Sequence, residues 1–361
     1  MRPNFILSSC GTSLLTNNVG NEERKLFIKY ANAAEKDIPA TDIAIIKPLV
    51  QTIRNILMQS GPHQVANFSA ELNAIVKFYH YKLDHNYDVH YLLTTDTWLG
   101  HLTGQMLQAW LKQYFSSVNI YAQKDLQTAD LNRFQLALSD LVVWCSNNIS
   151  ADYHVVFNLT GGFKSVQGFL QTLAMFYADE AIYVFESGDE LLRLPKLPVR
   201  IDPDNTLRDH FPLMRQLNLG LSVTLPENLP KTLIMQIDDQ TTLSQYGQII
   251  FQQLKNKFYT EQIYEPPTEK IRFGPKFIQS VQNLSPDRKK IVNERIDDLT
   301  TFFMSNKIKN INRLDFKELR GNPRPPSTHE MDAWADQDAK RIYGHYEEEN
   351  FVLDKLDRAL H

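Results

Sequence analysis

The sequence predicts an α/β protein, and three observations carry that prediction. Over the first two hundred residues, short apolar runs of strand length alternate with helical stripes. Several of those runs end in turns of Gly, Ser, Thr and Asp, as strands do in nucleotide-handling parallel sheets. The last ninety residues change pattern: two helices come first, then strands in succession, which reads as α+β with an antiparallel sheet. The layout expected is a Rossmann-like parallel-sheet domain over residues 1–203, a helical connector over 204–268 and a small α+β domain over 269–361.

Composition sets the class. A chain of 361 residues, 43% hydrophobic and 22% charged, has ample core for two or three globular domains. A net charge of −4 argues against wholesale binding to nucleic acid, though a local basic patch fits inside that average. The two cysteines, Cys10 and Cys145, make no disulfide framework, so a reducing compartment is expected. No apolar run is long enough to cross a bilayer, and the run before Cys10 is too short for a signal peptide. The expectation is a cytoplasmic protein with no membrane partner, in which the glycosylation-type triplets at Asn67, Asn148 and Asn158 mean nothing.

The first strand is Phe5 to Ser9, followed by the polar loop Cys10-Gly11-Thr12-Ser13. Helical stripes run over Ile43 to Met58 and over Ala70 to Tyr81. His90 to Thr94 is a second strand; it ends in the turn Thr95-Asp96-Thr97, and a helix through Leu102, Met106 and Trp110 follows. Val118 to Tyr121 is a third strand. The chain then reaches Val155-Val156-Phe157, a buried strand by its β-branched content, which stops at Asn158-Leu159-Thr160-Gly161-Gly162-Phe163-Lys164 and restarts as a helix with Val166, Phe169, Leu170, Leu173 and Phe176 on one face. Ala181 to Phe185 closes the series. A strand that breaks at paired glycines before a helix leaves bare N–H groups above the sheet; with the helix dipole and Lys164 they make a seat for phosphate. A plain tight turn would use Gly161-Gly162 as well.

In a parallel sheet the loops at Ser13, Asp96 and Lys164 all fall at the carboxyl edge, where ligands bind. Neither Gly-x-Gly-x-x-Gly nor the Walker pattern is present, so the site is not of those kinds. His80, His85 and His90 recur every five residues, a spacing that does not stack on a helix; they read as a solvated helix-to-strand connection, and no metal site is expected.

The runs SSCGTSLLTN, LLTTDTWLGHL and NLTGGFK, in that order, resemble the CARF domain, the ligand sensor of type III CRISPR systems, over roughly the first two hundred residues. The resemblance implies a homodimer holding cyclic tetra-adenylate across its two-fold axis, with Gly11, Thr12, Ser13, Thr95, Asp96, Thr160, Gly161, Gly162 and Lys164 as the ligand-binding residues. It further implies ring cleavage, with Ser13 positioning the attacking 2′-hydroxyl and Lys164 stabilising phosphorane charge; a purely binding role for both stays open.

Between Ile201 and Pro267 two helices stand out, Leu207 to Leu219 and Leu243 to Tyr259, separated by prolines and a turn at Asp238-Asp239-Gln240. A dimerising connector is expected there; a DNA-reading winged helix is the alternative, with no basic recognition helix to support it.

In the last ninety residues helices begin at Phe277, Val281 and Leu284 and run from Arg288 to Met304. Strands follow at Asp315 to Leu319, Glu330 to Trp334 and Ala339 to Tyr346, and a last segment spans Asn350 to Leu356. Lys307, Lys309, Arg313, Lys317, Arg320 and Arg324 sit among only two acids, a footprint for a phosphate backbone; Lys307 and Lys309 read as solvated surface. The order Leu319-x-Gly321, His329-Glu330-Met331, Lys340-Arg341-Ile342-Tyr343 and a last His361 resembles RelE-family toxins, the HigB and YafQ types in particular. That resemblance implies metal-independent cleavage of mRNA on the ribosome by its own 2′-hydroxyl, with no cofactor beyond the allosteric ring. Arg341 and Lys317 would neutralise the phosphate with Arg320 assisting, His329 and His361 would serve as base and acid, and Tyr343 would stack or orient. His345 reads as a solvated strand residue. Arg341 also has a structural reading, as the partner of an acid such as Asp338 or Asp354. The whole chain then reads as a ring-activated ribonuclease, or alternatively as a ring-regulated nucleic-acid-binding protein that does not cut.

Overall fold

The computed structural model describes residues 2–84, 87–126, 130–162, 164–185, 190–198, 201, 205–305, 311–320 and 325–359, with only the backbone of Lys164, Asn205 and Thr206. The chain divides into two compact units, Met1–Arg200 and Ile201–His361.

The first unit contains the strands β1 (Asn4–Ser9), β2 (Val89–Thr95), β3 (Ser117–Gln123), β4 (His154–Asn158), β5 (Glu180–Val184) and β6 (Leu191–Pro195). Its helices are α1 (Ser13–Thr16), α2 (Asn21–Lys29), α3 (Ala40–Gln59), α4 (Pro62–Val65), α5 (Ala70–Phe78), α6 (Trp98–Leu111), α7 (Leu131–Asn148) and α8 (Lys164–Tyr177). The sheet runs β3-β2-β1-β4-β5-β6. Its first five strands are parallel, with Phe5 opposite Val89 on one side and Val155 on the other. β6 adds antiparallel to β5, a strand the sequence does not announce. Because β2 lies on one side of β1 and β4 on the other, the strand order reverses between β1 and β4, and their carboxyl ends flank the crevice where such sheets take ligands.

Burial follows the apolar stripes. On α3, Ile46, Val50, Ile53 and Leu57 turn inward, and on α6 Met106, Leu107, Trp110 and Leu111 do so. The α5 residues Leu72, Ala74, Ile75 and Val76 join them in one core with Ile6, Leu92 and Val156 of the sheet. His90 lies in β2, as its strand was expected to, but it is fully buried and not solvated, because alternation turns it toward Phe115, 4.2 Å between ring centroids. His80 is exposed, and His85 lies outside the described residues.

The second unit opens with α9 (Asn205–Asn218), β7 (Ile234–Ile237), β8 (Gln240–Leu243) and α10 (Gln245–Glu261). Here the all-helical expectation is corrected: β7 and β8 pair as a hairpin, so Leu243 ends a strand instead of starting a helix. Asp238 makes the reversal in the left-handed region, φ 47°, which Asp tolerates. Phe211, Met214, Leu233, Leu243, Phe251 and Phe258 form the core of this part. Next come β9 (Ile271–Phe273), α11 (Pro275–Val281), α12 (Pro286–Met304), β10 (Lys317–Glu318), β11 (His329–Trp334), β12 (Lys340–Glu347) and β13 (Asn350–Arg358). They build a five-stranded sheet in the order β10-β11-β12-β13-β9, antiparallel except that β9 joins β13 in parallel. The sequence does not announce β9, β10 is only two residues long, and Leu284 falls beyond α11.

Arg215 of α9 is buried and ties the two parts of this unit together. Its Nε donates to Asp297 of α12 at 2.6 Å and its Nη1 to the Glu265 carbonyl at 2.8 Å, while the Tyr259 hydroxyl donates to the other Asp297 oxygen at 2.6 Å. Asn293 completes the seam by donating to the carbonyls of Tyr259 and Gln262.

Candidate functional site

In the first unit the crevice between β1 and β4 is closed by two loops that touch. Gly162 takes φ 96°, a conformation that excludes most L-residues, and a Cβ there would lie 2.8 Å from the Ser9 hydroxyl. A Cβ on Gly11 would lie 3.2 Å from the Gly162 nitrogen, so a side chain there would require the facing backbone to give by a few tenths of an ångström. The Ser9 hydroxyl donates to the Gly161 carbonyl at 2.5 Å, and Gln167 of α8 donates to the same carbonyl at 2.9 Å. The Thr160 amide is held by the Asn158 side chain, and the Thr160 hydroxyl accepts from the Val184 amide.

Beneath both loops sits Glu71, the second residue of α5, with none of its surface exposed. It accepts from the Gly11 amide at 2.8 Å through one oxygen and from the Ser13 hydroxyl at 2.8 Å through the other. Gly161 abuts it so closely that a Cβ there would fall 2.2 Å from its carboxyl oxygen. Burial raises the Glu71 pKa, against the lowering effect of the hydrogen bonds it accepts, and burial with the nearby Glu71 charge raises that of the Cys10 thiol. Sequence reasoning missed Glu71; the signal was an acid in the first turn of a helix that buries Leu72, Ala74, Ile75 and Val76 beside it.

The remaining expected ligand residues divide. Gly11, Thr12, Ser13, Thr160, Gly161 and Gly162 are brought together at the crevice. Thr95 ends β2 beside them but is buried, its hydroxyl 2.8 Å from that of Thr97, which caps α6 by accepting from the Gly100 amide. Asp96 accepts from the Asp125 amide at 3.1 Å. Lys164 begins α8, and its side chain lies outside the described atoms.

In the second unit, residues paired across antiparallel strands share a face. Lys317 pairs with Glu330, Glu330 with Tyr343, and Asp332 with Arg341. Lys317, Arg320, Glu330 and Arg341, with Glu318 at the edge, line a single cleft of about 600 Å³. Three cations expected from the sequence thus meet. The guanidinium of Arg341 is already engaged: it bonds to Glu330, and its Nε lies 3.2 Å from Asp332. The partners expected for a structural Arg341, Asp338 and Asp354, are otherwise occupied, Asp338 near Lys340 and Asp354 by Ser327 and His345. Lys317 pairs with Asp315.

His329 does not join this cluster. It pairs opposite Gly344 on the other face of the sheet and stacks on Phe316, 5.2 Å between centroids, within the core side. A one-residue step along β11 separates it from Glu330, and in a strand one residue means the opposite face. Tyr343 lies on the cleft face but is 1% exposed, its hydroxyl donating to the Arg358 carbonyl at 3.1 Å; a buried ring cannot stack on a base. His345 is not solvated as expected: Asp354 holds its Nδ1 at 3.0 Å, and although desolvation pulls its pKa down, the Asp354 and Glu347 carboxylates carry it above the usual value. His361, Gly321, Arg324, Lys307 and Lys309 lie outside the described residues.

Residues 66–197 match the model of a family described as CRISPR-associated protein (Cas_APE2256), which covers the second and third loops of the crevice and Glu71. No curated protein matches the chain. Among solved structures, Enterococcus italicus Csm6 bound to cyclic hexa-2′-fluoro-hexa-dAMP is similar over 86% of this chain at 10% identity, with a TM-score of 0.29. The chain spans 56% of that protein's length, and a likeness this loose places no residue. Among the described residues no helix is long and apolar enough to cross a membrane.

Proposed function

We propose that this chain is a type III CRISPR ancillary effector of the cytoplasm: its first unit binds cyclic tetra-adenylate as a homodimer, and the ring switches on RNA cleavage in the second. The sensor half is supported by two glycine loops meeting at the strand-order reversal, within and beside a stretch that matches a CRISPR-associated family. A ring of phosphates needs N–H donors on a symmetric surface, and the Gly161-Gly162 turn before α8 is the one suited to supply them, since Glu71 takes the Gly11 amide.

The observation that carries the effector half is the cleft where Lys317, Arg320 and Arg341 surround Glu330. Cleavage by the RNA's own 2′-hydroxyl needs a base for that hydroxyl, positive charge on the phosphate and an acid for the leaving oxygen, and no metal. Glu330 takes the role of base that the sequence assigned to His329, oriented by Arg341, which Asp332 holds from behind. Lys317 and Arg320 face the phosphate, and His361 keeps its expected role as acid. Messenger RNA on the ribosome is the substrate this reading assigns.

A second reading, ring-regulated binding without cutting, is favoured by the two carboxylates that already occupy Arg341. The test is 5′-end mapping of mRNA on translating ribosomes incubated with protein and ring. Cleavage that falls at least about 100-fold in Glu330→Gln, with RNA retained, supports the nuclease. RNA that is bound and left intact by the unsubstituted protein supports the second reading.

A further inference from the structure

The Ser13 hydroxyl is not simply a group facing ligand. It donates to Glu71 at 2.8 Å and accepts from the Ala70 amide at 3.2 Å, which leaves one of its two lone pairs open on a half-exposed side chain. Glu71 is wholly buried, and among the described residues no lysine, arginine or histidine pairs with it. A neutral amide would brace the two loops without the cost of burying a charge. A carboxylate kept there, at the first turn of α5 and one hydroxyl away from the crevice, is a proton acceptor held out of water.

We propose that Glu71 takes up, through the Ser13 hydroxyl, the proton released when a 2′-hydroxyl of the bound ring attacks the adjacent phosphate. This rests on the reading that the ring binds at this crevice. The 2′-O–H proton passes to Ser13 Oγ as the Ser13 proton passes to Glu71 Oε2. The 2′-oxygen forms a bond to phosphorus and the bond from phosphorus to the 5′-oxygen breaks. The departing 5′-oxygen takes a proton from solvent water, and the hydroxide so formed is neutralised by the proton on Glu71. The products are a 2′,3′-cyclic phosphate and a 5′-hydroxyl on an opened chain. The raised carboxyl pKa suits the acceptor role. The groups that face the carboxyl are the Cys10 thiol from the end of β1, the Gly11 amide and Ser13 from the first loop, and Ser69 from the start of α5.

The experiment uses the full chain with cyclic tetra-adenylate. Ring affinity is measured by calorimetry, and ring opening under single-turnover conditions across pH, for the unsubstituted protein, Glu71→Gln, Ser13→Ala and the double variant. Glu71→Gln is expected to bind within a few-fold of the unsubstituted protein and to open the ring about 10² to 10⁴ times more slowly, with the rise of rate with pH abolished. Ser13→Ala is expected to lose a similar factor, and the double variant no more than either, as groups acting as one unit do. Should Glu71→Gln misfold, Glu71→Asp takes its place: it keeps a carboxylate but draws it back from Ser13 Oγ, and the relay requires the same slowed opening with ring affinity kept. Ring bound but never opened by the unsubstituted protein overturns the relay alone, as does a Glu71→Gln or Ser13→Ala rate within ten-fold of normal. A ring that does not bind overturns the sensor reading as well.

Discussion

Replacing Asp297 by asparagine should loosen the second unit and leave the first untouched. The Arg215 side chain is 2% exposed, and Asp297 is the one carboxylate that bonds to it among the described residues. Nη2 of Arg215 is buried without a partner, so no spare acceptor stands ready to take over. Removing one member of a buried ion pair leaves a desolvated charge and costs about 3–5 kcal/mol. The Tyr259 hydroxyl can still donate to the amide oxygen that the substitution introduces, so its hydrogen bond adds little to that cost. The assay is native-state hydrogen exchange read by peptide, because a two-unit chain need not melt in one step. Amides of α10 and α12 should lose about 3–5 kcal/mol of opening free energy, and those of α3 and α6 none. Replacing both partners, Arg215→Met with Asp297→Leu, should restore most of it. A loss under about 1 kcal/mol in the single variant would refute the claim that this pair fastens α9 to α12.

Three other outcomes are expected. Burial lowers the His90 pKa to about 4, so the unfolded chain takes up the proton first and stability, full above pH 6.5, drains as pH falls toward 4. Between pH 7 and pH 5 the first unit should lose roughly 2 kcal/mol more than a His90→Gln variant, measured by the same exchange experiment. Gly162→Ala, forced to φ 96° with its Cβ against Ser9, should cost about 1–3 kcal/mol and weaken ring affinity, by calorimetry, more than ten-fold. Lys317→Ala should slow RNA cleavage with little change in stability, since Lys317 is exposed and its ion-pair partner Asp315 is exposed too.

The sequence announced the parallel sheet well because its strands are short and apolar, and β2 and β4 are followed by the strong helical stripes of α6 and α8. α7 carries the same kind of signal without any motif on it: Phe134, Leu138, Leu141, Val142 and Cys145 recur at helical spacing and are buried. The hairpin β7-β8 was harder, because each strand is only four residues long and its turn is Asp-Asp without glycine. Strand β9 is three residues long and gains its identity only by pairing with β13, some eighty residues later. In the candidate sites, the glycine loops were readable from spacing, while Glu71 and Glu330 were not. Each is a lone acid whose meaning appears only when another element delivers its partner, Ser13 in one case and Arg341 in the other. His329 failed for a one-residue reason: pairing register sets which face a side chain takes, and register is a property of two strands.

The most direct test of ring-controlled cleavage is a titration of cyclic tetra-adenylate into the 361-residue chain with programmed ribosomes, reading new 5′ ends on the mRNA. The expected result is no cuts without the ring, cuts that rise and saturate with it, and none at any ring concentration in Glu330→Gln. Cleavage at full rate before any ring is added would contradict it, as would ring binding that saturates while the mRNA stays whole.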